Sequence, residues 1–168
     1  MPATAVNQLE SGVSSGSART LLHPGLVVRV CMAAMAVAIC YCLKWEFLRY
    51  ITSELNLRLD ALAGIHLQRL SSDTVLWNGT VYYYERACIF ADVWCGAIPL
   101  LWSLRRTISG NLLHLFLFTA ALFAFNVFRL SLSDLLYAAG LSWDLAHNAM
   151  GGVAWFGVWV WIWKHRDW

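Results

Sequence analysis

Charged residues are scarce in this chain. Only 13% of its 168 residues are Asp, Glu, Lys or Arg, whereas 60% are hydrophobic and 10 are tryptophan. Ordinary soluble domains are closer to half apolar and a quarter charged. Because the charges are also clustered, long stretches carry almost none. This composition excludes an ordinary soluble domain and predicts an integral membrane protein, and the length predicts a single domain.

An excess of basic charge is also lacking, since the formal net charge is only +2. Proteins that bind nucleic acid carry much larger and more clustered positive charge. The chain is therefore expected to have no nucleic-acid partner, and the distribution of its charges carries more information than their sum.

A zinc-type cysteine framework is the third absence. The chain has no paired CxxC and no histidine at ligand spacing. Three of its cysteines lie in the first apolar segment, where they are expected to pack as small hydrophobic side chains. No metal and no cofactor are expected. The five cysteines are Cys31, Cys40, Cys42, Cys88 and Cys95.

Long apolar runs predict how the chain meets the membrane. Residues 1–24 are rich in Ser, Ala, Gly and Thr, which predicts a disordered tail. The run that follows lacks a clean cleavage site and is interpreted as a retained helix rather than a signal peptide. About 20 apolar residues cross a bilayer, so the sequence predicts an all-α bundle of about four transmembrane helices. The predicted spans are 26–43, 87–104, 112–130 and 145–163.

Basic residues predict the orientation of these spans. With four spans, three basic clusters fall on one side, which the positive-inside rule assigns to the cytoplasm. Both termini are then predicted to be cytoplasmic. The clusters comprise Arg19, Arg105, Arg106, Lys164, His165 and Arg166.

The long segment 44–86 is predicted to lie outside the membrane and to have its own structure. Apolar residues recur near helical spacing between Trp45 and Leu70, which predicts an amphipathic helix on the membrane or capping the spans. The dipeptide Asn78-Gly79 between two β-prone runs predicts a β-hairpin. The same asparagine begins a glycosylation sequon, although the turn already explains it.

Three reactive side chains lie near the ends of three different apolar segments, namely Cys95, Arg129 and His147. The predicted topology places all three in the outer leaflet or at its surface. A thiol, a guanidinium and an imidazole offer a nucleophile, an anion stabiliser and a proton carrier. We therefore expect these groups to share one pocket open to the extracytoplasmic side.

Neighbouring polar residues are expected to support this constellation. Asn126 precedes Arg129 by three residues and therefore lies on the same helix face. Asp144 stands three residues before His147, where it is expected to orient the imidazole. Asp92 lies one turn before Cys95 and needs a partner, for which Arg129 is the expected candidate. Cys88, about two turns before Cys95, is a rival nucleophile.

At these residues the chain resembles the exosortase/archaeosortase family of membrane transpeptidases. The family's pattern has a Cys followed by a small residue and Gly, then N-x-x-R at the end of a later span, then a His followed by glycines. The matching stretches are WCGA at Cys95, NVFR at Asn126 to Arg129, and HNAMGG at His147. The likeness covers about residues 45–160. One departure is that Gly96 and Ala97 follow the cysteine in the reverse order.

This resemblance implies an integral protein of the bacterial inner membrane with a Cys-Arg-His mechanism. Cys95 would be the nucleophile, His147 the proton carrier and Arg129 the oxyanion stabiliser, with Asn126 positioning the arginine. The implied substrates are proteins with a C-terminal sorting signal, made of a short motif, a hydrophobic helix and a basic tail (PEP-CTERM-like). Their new C-terminus would pass to an unknown acceptor at the membrane or surface.

Two other functions are compatible with the sequence. The many tryptophans and the capping helix also suit a non-catalytic membrane scaffold or assembly factor. A haem or metal site using His114 and His147 is the other alternative. The predicted topology argues against it, because these histidines begin spans at opposite faces of the membrane.

Overall fold

The computed structural model describes residues 24–165 and is mostly helical, with one small sheet. The predicted tail 1–24 therefore lies outside the described residues except for Pro24, as do Arg19 and Arg166 of the basic clusters. A 3-10 turn spans Arg86–Ile89, and a π-helical turn spans Asp144–Ala149. The elements are α1 (Pro24–Cys40), α2 (Glu46–Leu62), β1 (Gln68–Arg69), β2 (Thr74–Trp77), β3 (Thr80–Tyr83), α3 (Ala91–Leu101), α4 (Ile108–Ala138) and α5 (Met150–His165).

The main apolar core lies where α1, α3, α4 and α5 meet. Helix α3 contacts all three of the others, because small residues on its surface allow close approach. Gly96 is the tightest of these contacts, since a Cβ there would lie 2.6 Å from Cη2 of Trp159 and 3.0 Å from Cγ2 of Val37. The fully buried members of this core include Val93, Ala97, Leu101 and Ile162.

The predicted β-hairpin is confirmed. Strands β2 and β3 pair antiparallel, with Trp77 opposite Thr80 across the turn. Asn78 and Gly79 have φ values of 49° and 80°, the left-handed conformation that a two-residue hairpin turn requires. The sequence analysis missed β1, which pairs with β2 and makes the sheet three-stranded.

The number of membrane-crossing helices differs from the prediction of four. Among the described residues, only α4 is both long and apolar enough to cross a membrane, while α1 and α3 are apolar but shorter. Helix α1 ends at Cys40, whose carbonyl accepts a hydrogen bond from the Trp45 indole at 2.9 Å. Helix α3 begins only at Ala91, because Phe90 adopts a left-handed conformation with φ 51°.

Helix α4 is longer than the predicted span 112–130 at both ends. Thr107 caps its start by accepting a hydrogen bond from the Gly110 amide at 3.1 Å. The helix ends at Ala138, two residues before Gly140. Gly140 has φ 98° and is the first glycine after the predicted boundary. The two extra C-terminal turns carry Asp134 to the edge of the candidate site.

Helix α2 has an inverted amphipathic arrangement. Its polar residues Ser53, Asn56 and Asp60 are fully buried against the protein, and it packs on α4. Several of its leucines face outward, with Leu59 40% and Leu62 85% exposed. This is the reverse of the usual distribution, in which polar side chains are exposed and apolar side chains are buried. The predicted amphipathic helix is therefore present, and its polar face packs against α4.

Helices α1, α4 and α5 also present large apolar side chains to their surroundings. Soluble monomers seldom expose apolar patches of this extent. Those at least half exposed include Val28, Met35, Ile39, Leu112, Leu113, Phe116, Leu117, Val153 and Phe156. Together they give the bundle an extensively apolar outer surface.

The close contact at Gly96 gives a stability prediction. Gly96→Ala is expected to lower the free energy of unfolding by about 1–3 kcal/mol, because the added methyl overlaps the Trp159 ring. Gly157→Ala in α5 is the matched control, since its Cβ would meet nothing within 4 Å. Thermal unfolding of both variants in detergent measures the difference. A Gly96→Ala protein at least as stable as the control would contradict the packing described.

Candidate active site

A cavity of about 430 Å³ lies between the 3-10 turn, the C-terminal part of α4 and the π-helical turn. It contains a thiol, a guanidinium and an imidazole from three separate elements. Among its lining residues are Cys88, Phe90, Arg129, Trp143, His147 and Gly151. Two of the three side chains predicted to converge, Arg129 and His147, therefore share this cavity.

Arg129 and Asn126 lie on one face of α4, as their spacing predicts. Nε and Nη2 of Arg129 donate to Oδ1 of Asn126 at 3.3 and 3.2 Å. The Asn126 amide nitrogen donates to the carbonyl oxygen of Cys88 at 2.7 Å. One buried amide therefore fixes both the guanidinium of Arg129 and the backbone of Cys88.

The charge of Arg129 is buried without a carboxylate at ion-pair distance. Arg129 is only 6% exposed, and among residues 24–165 it forms no ion pair with Asp or Glu. The guanidinium carbon lies 5.1 Å from the centroid of the Phe90 ring. Gly151 leaves room for the arginine, because a Cβ there would lie 3.1 Å from Nη1. A buried cation in such a cavity is suited to bind an anion.

Cys88 is the thiol that accompanies Arg129 and His147. It lies in the 3-10 turn, is partly buried, and is close enough to Arg129 for the two side chains to interact electrostatically. Burial opposes formation of a thiolate, whereas a neighbouring positive charge favours it. The left-handed Phe90 turns the chain into α3 directly after this cysteine.

Cys95, the expected nucleophile, lies elsewhere. It is one turn inside α3 on the face toward α1, where it packs beside Cys40 and Trp45. It lines a separate apolar groove that also includes Val28 and Met32 of α1. The prediction assumed a continuous helix from residue 87, but the left-handed Phe90 interrupts that helix and changes which cysteine faces the cavity.

The two expected supporting carboxylates also have other partners. Asp92 accepts a hydrogen bond from the Trp155 indole at 2.7 Å and forms no ion pair with Arg129. Asp144 is exposed and accepts from the Asn148 amide at 2.9 Å. The π-helical turn changes the helical spacing, so that Asp144 does not orient His147.

Asp134 takes the role that was expected of Asp144. Its Oδ1 lies 2.8 Å from Nε2 of His147, and both side chains are largely buried. This contact leaves Nδ1 as the imidazole nitrogen available to the cavity. The sequence analysis missed Asp134 because it ended the third span at Leu130, whereas no helix-breaking residue occurs before Gly140.

An aromatic cluster fixes the other side of the imidazole. Trp143 stacks on His147, with ring centroids 3.8 Å apart and an angle of 14° between the planes. Trp143 in turn contacts Tyr82 of the hairpin and Tyr137 of α4. The hairpin thereby positions the histidine through aromatic packing.

Tyr84 follows the hairpin and lies behind the site. Burial raises the pKa of Tyr84 above that of a free tyrosine, and the negative charges of Asp134 and Asp60 raise it further. The phenol is therefore neutral over the physiological pH range.

The described residues provide no cluster of three His, Cys, Asp or Glu side chains that could hold a metal ion. His114 lies near the start of α4, and Asp134, the partner of His147, lies near its end. At the rise of an α-helix these two positions are about 30 Å apart. His114 and His147 therefore do not form a joint ligand pair.

The cavity has the groups that acyl transfer requires. A thiol provides a nucleophile, an imidazole with a carboxylate partner carries the proton, and a buried guanidinium stabilises a developing oxyanion.

Comparison of the chain with family models, curated proteins and solved structures gave no match.

The bridging amide gives a test of the site's construction. Asn126→Ala leaves the Cys88 carbonyl and two guanidinium N–H groups without their partner, at a cost of about 1–3 kcal/mol. Asn148→Ala is the matched control, because this amide is exposed and its one hydrogen bond among the described residues goes to Asp144. We expect a lower thermal midpoint in detergent for Asn126→Ala alone. Equal midpoints for the two variants would contradict a structural role for Asn126.

Proposed function

We propose that the chain is a membrane-embedded cysteine transpeptidase of the exosortase/archaeosortase type, with Cys88 as the nucleophile. The observation that carries the proposal is the single cavity lined by Cys88, Arg129 and His147. The residues that resemble the family pattern favour Cys95, since a glycine follows it. The cavity favours Cys88, and a nucleophile must lie within reach of its base and its oxyanion stabiliser.

The first half-reaction forms a thioester. Sγ of Cys88 attacks the carbonyl carbon of the scissile peptide bond, and its proton passes to Nδ1 of His147. Arg129 stabilises the oxyanion that forms on the carbonyl oxygen. The C–N bond then breaks, the C–S bond remains, and His147 returns the proton to the leaving amine.

The second half-reaction releases the thiol. A nucleophile on the acceptor, or water, attacks the thioester carbon and transfers its proton to His147. The C–S bond breaks, and the sulfur leaves as a thiolate that takes the proton back. Asp134 holds Nε2 of His147 throughout and stabilises the imidazolium that forms in each half-reaction.

The membrane location is supported by the distribution of apolar and polar surface. In this proposal α4 crosses the bilayer, and the shorter apolar helices α1, α3 and α5 lie in the bilayer beside it. The exposed leucines of α2 would rest on the lipid while its polar face covers the site. The bundle therefore buries its polar groups inside and presents apolar side chains to lipid.

The orientation follows from the two ends of α4. Arg105 and Arg106 precede its start, and the positive-inside rule assigns such residues to the cytoplasm. The cavity lies toward the other end, beside Arg129 and Asp134. We therefore place the active site on the extracytoplasmic side of a bacterial inner membrane, where a C-terminal sorting signal with a hydrophobic helix would reach it laterally.

Separate substitutions of the two cysteines test the nucleophile. Cys88→Ala is expected to abolish processing of a co-expressed protein with a sorting signal, because no sulfur remains in the cavity. Cys95→Ala is the matched control and is expected to retain processing. The measurement is the mass of the substrate recovered from membranes, with insertion of each variant checked by its detergent-extracted yield.

The opposite pattern, loss only in Cys95→Ala, would assign the nucleophile to the other thiol. Processing that persists in both variants would exclude cysteine catalysis. It would favour the runner-up function, a non-catalytic scaffold or assembly factor.

Arg129 gives an independent prediction. Arg129→Gln is expected to slow processing about 10²- to 10³-fold, the loss typical of removing one oxyanion donor. Arg86→Gln is a suitable control, because Arg86 contacts the Tyr41 carbonyl away from the cavity. Time courses of substrate cleavage in membranes measure both rates. Similar rates for the two variants would contradict the oxyanion role.

A further inference from the structure

We propose that Asp60 of α2 is a positioning residue that holds a proton shared with Asp134, so that one negative charge faces His147. The functional part of this inference rests on the proposed function of the site. Its structural part, the shared proton, stands on the contacts between α2 and α4 alone.

The two carboxyl groups are joined by one amide. Nδ2 of Asn56 donates to Oδ2 of Asp60 at 2.6 Å and to Oδ2 of Asp134 at 2.7 Å. The separation between Oδ2 of Asp60 and Oδ2 of Asp134 is therefore no greater than the sum of these two distances. All three residues are buried, with Asn56 and Asp60 fully inaccessible and Asp134 5% exposed.

No lysine or arginine neutralises this pair. Among residues 24–165, Asp60 forms no ion pair, and Asp134 pairs only with His147 of the π-helical turn. Tyr84, which directly follows β3, interacts electrostatically with both carboxyl groups and with Arg69 of β1. On the cavity side, Arg129 and Cys88 interact with Asp134 more distantly.

Two ionised carboxylates cannot share such a buried site without a large electrostatic cost. A proton on Asp60 removes one charge and provides a donor toward Asp134. Burial raises the pKa of Asp60 to about 8, and the neighbouring charge of Asp134 adds to the effect. Asp134 is the member that remains ionised, because only it contacts the imidazole.

The neutral Asp60 has a consequence for the histidine. An ionised Asp134 keeps the proton on Nε2 of His147 and leaves the Nδ1 lone pair facing the cavity. Asn56, which also binds Asp60, donates to Oδ2 of Asp134, the carboxyl oxygen that does not contact His147. Helix α2, which carries exposed leucines on its outer face, is thereby linked to the proton carrier of the site.

Infrared spectroscopy of protein labelled with 13C in the aspartate carboxyl groups tests the shared proton directly. The wild type at pH 7 is expected to show a protonated-carboxyl band that Asp60→Asn lacks. Asp73→Asn is the matched control and should keep the band, because Asp73 pairs with Arg49 at the surface. A wild type without the band, or an Asp60→Asn variant that retains it, would overturn the proposal.

The pH dependence of stability provides a second test. Because the pKa of Asp60 is higher in the folded state, the folded protein binds more protons, and stability falls as pH rises from about 4 to about 8. Asp60→Asn is expected to lose less stability over this range than the Asp73→Asn control. Equal losses in the thermal midpoint would contradict the raised pKa.

Processing rates test the positioning role. Asp60→Ala is expected to slow processing about tenfold or more, as when a group that orients a catalytic ligand is removed. Asp60→Asn keeps a donor toward Asp134 and should recover most of that loss. Equal rates in the two variants would contradict the role. If the chain processes no substrate at all, the infrared and stability results still decide whether the proton is shared.

Discussion

The side chain of Asn126 makes the contacts on which the site depends. It accepts from the guanidinium of Arg129 and donates to the backbone of Cys88, and so joins α4 to the turn that precedes α3. The contact with Arg129 is buried, and Arg129 forms no ion pair with Asp or Glu among the described residues. The amide thereby ties the cation to the backbone of the residue that carries the thiol.

A second constraint comes from burying polar groups inside an apolar molecule. An unpaired polar group buried away from water costs about 1–3 kcal/mol, so buried polar side chains need partners within the bundle. The buried series His147, Asp134, Asn56 and Asp60 satisfies this requirement by linking the π-helical turn, α4 and α2. The same series would position the proton carrier, so stability and the proposed chemistry depend on the same contacts.

Local patterns in the sequence predicted several parts of the fold. The Asn78-Gly79 turn predicted the hairpin, because few other residues adopt the left-handed conformation that this turn requires. The three-residue spacing predicted that Asn126 and Arg129 share a face. The helical spacing of leucines predicted α2, although its buried face proved to be the polar one.

Features that depend on interrupted helices could not be predicted in this way. The left-handed Phe90 has no sequence signature, and it decides that Cys88 rather than Cys95 lines the cavity with Arg129 and His147. The π-helical turn likewise moves Asp144 away from His147. Asp134 was within reach of prediction, since α4 continues to the first glycine after Leu130, but its partners come from distant parts of the chain.

Peptide mapping by mass spectrometry after trapping the acyl-enzyme is the most direct test of the account. A co-expressed protein with a C-terminal sorting signal is captured in acid before the thioester is released. The account predicts that the truncated substrate is bound covalently to the peptide containing Cys88. A thioester on Cys95, or substrate cleaved through a trapped intermediate on any other residue, would contradict it.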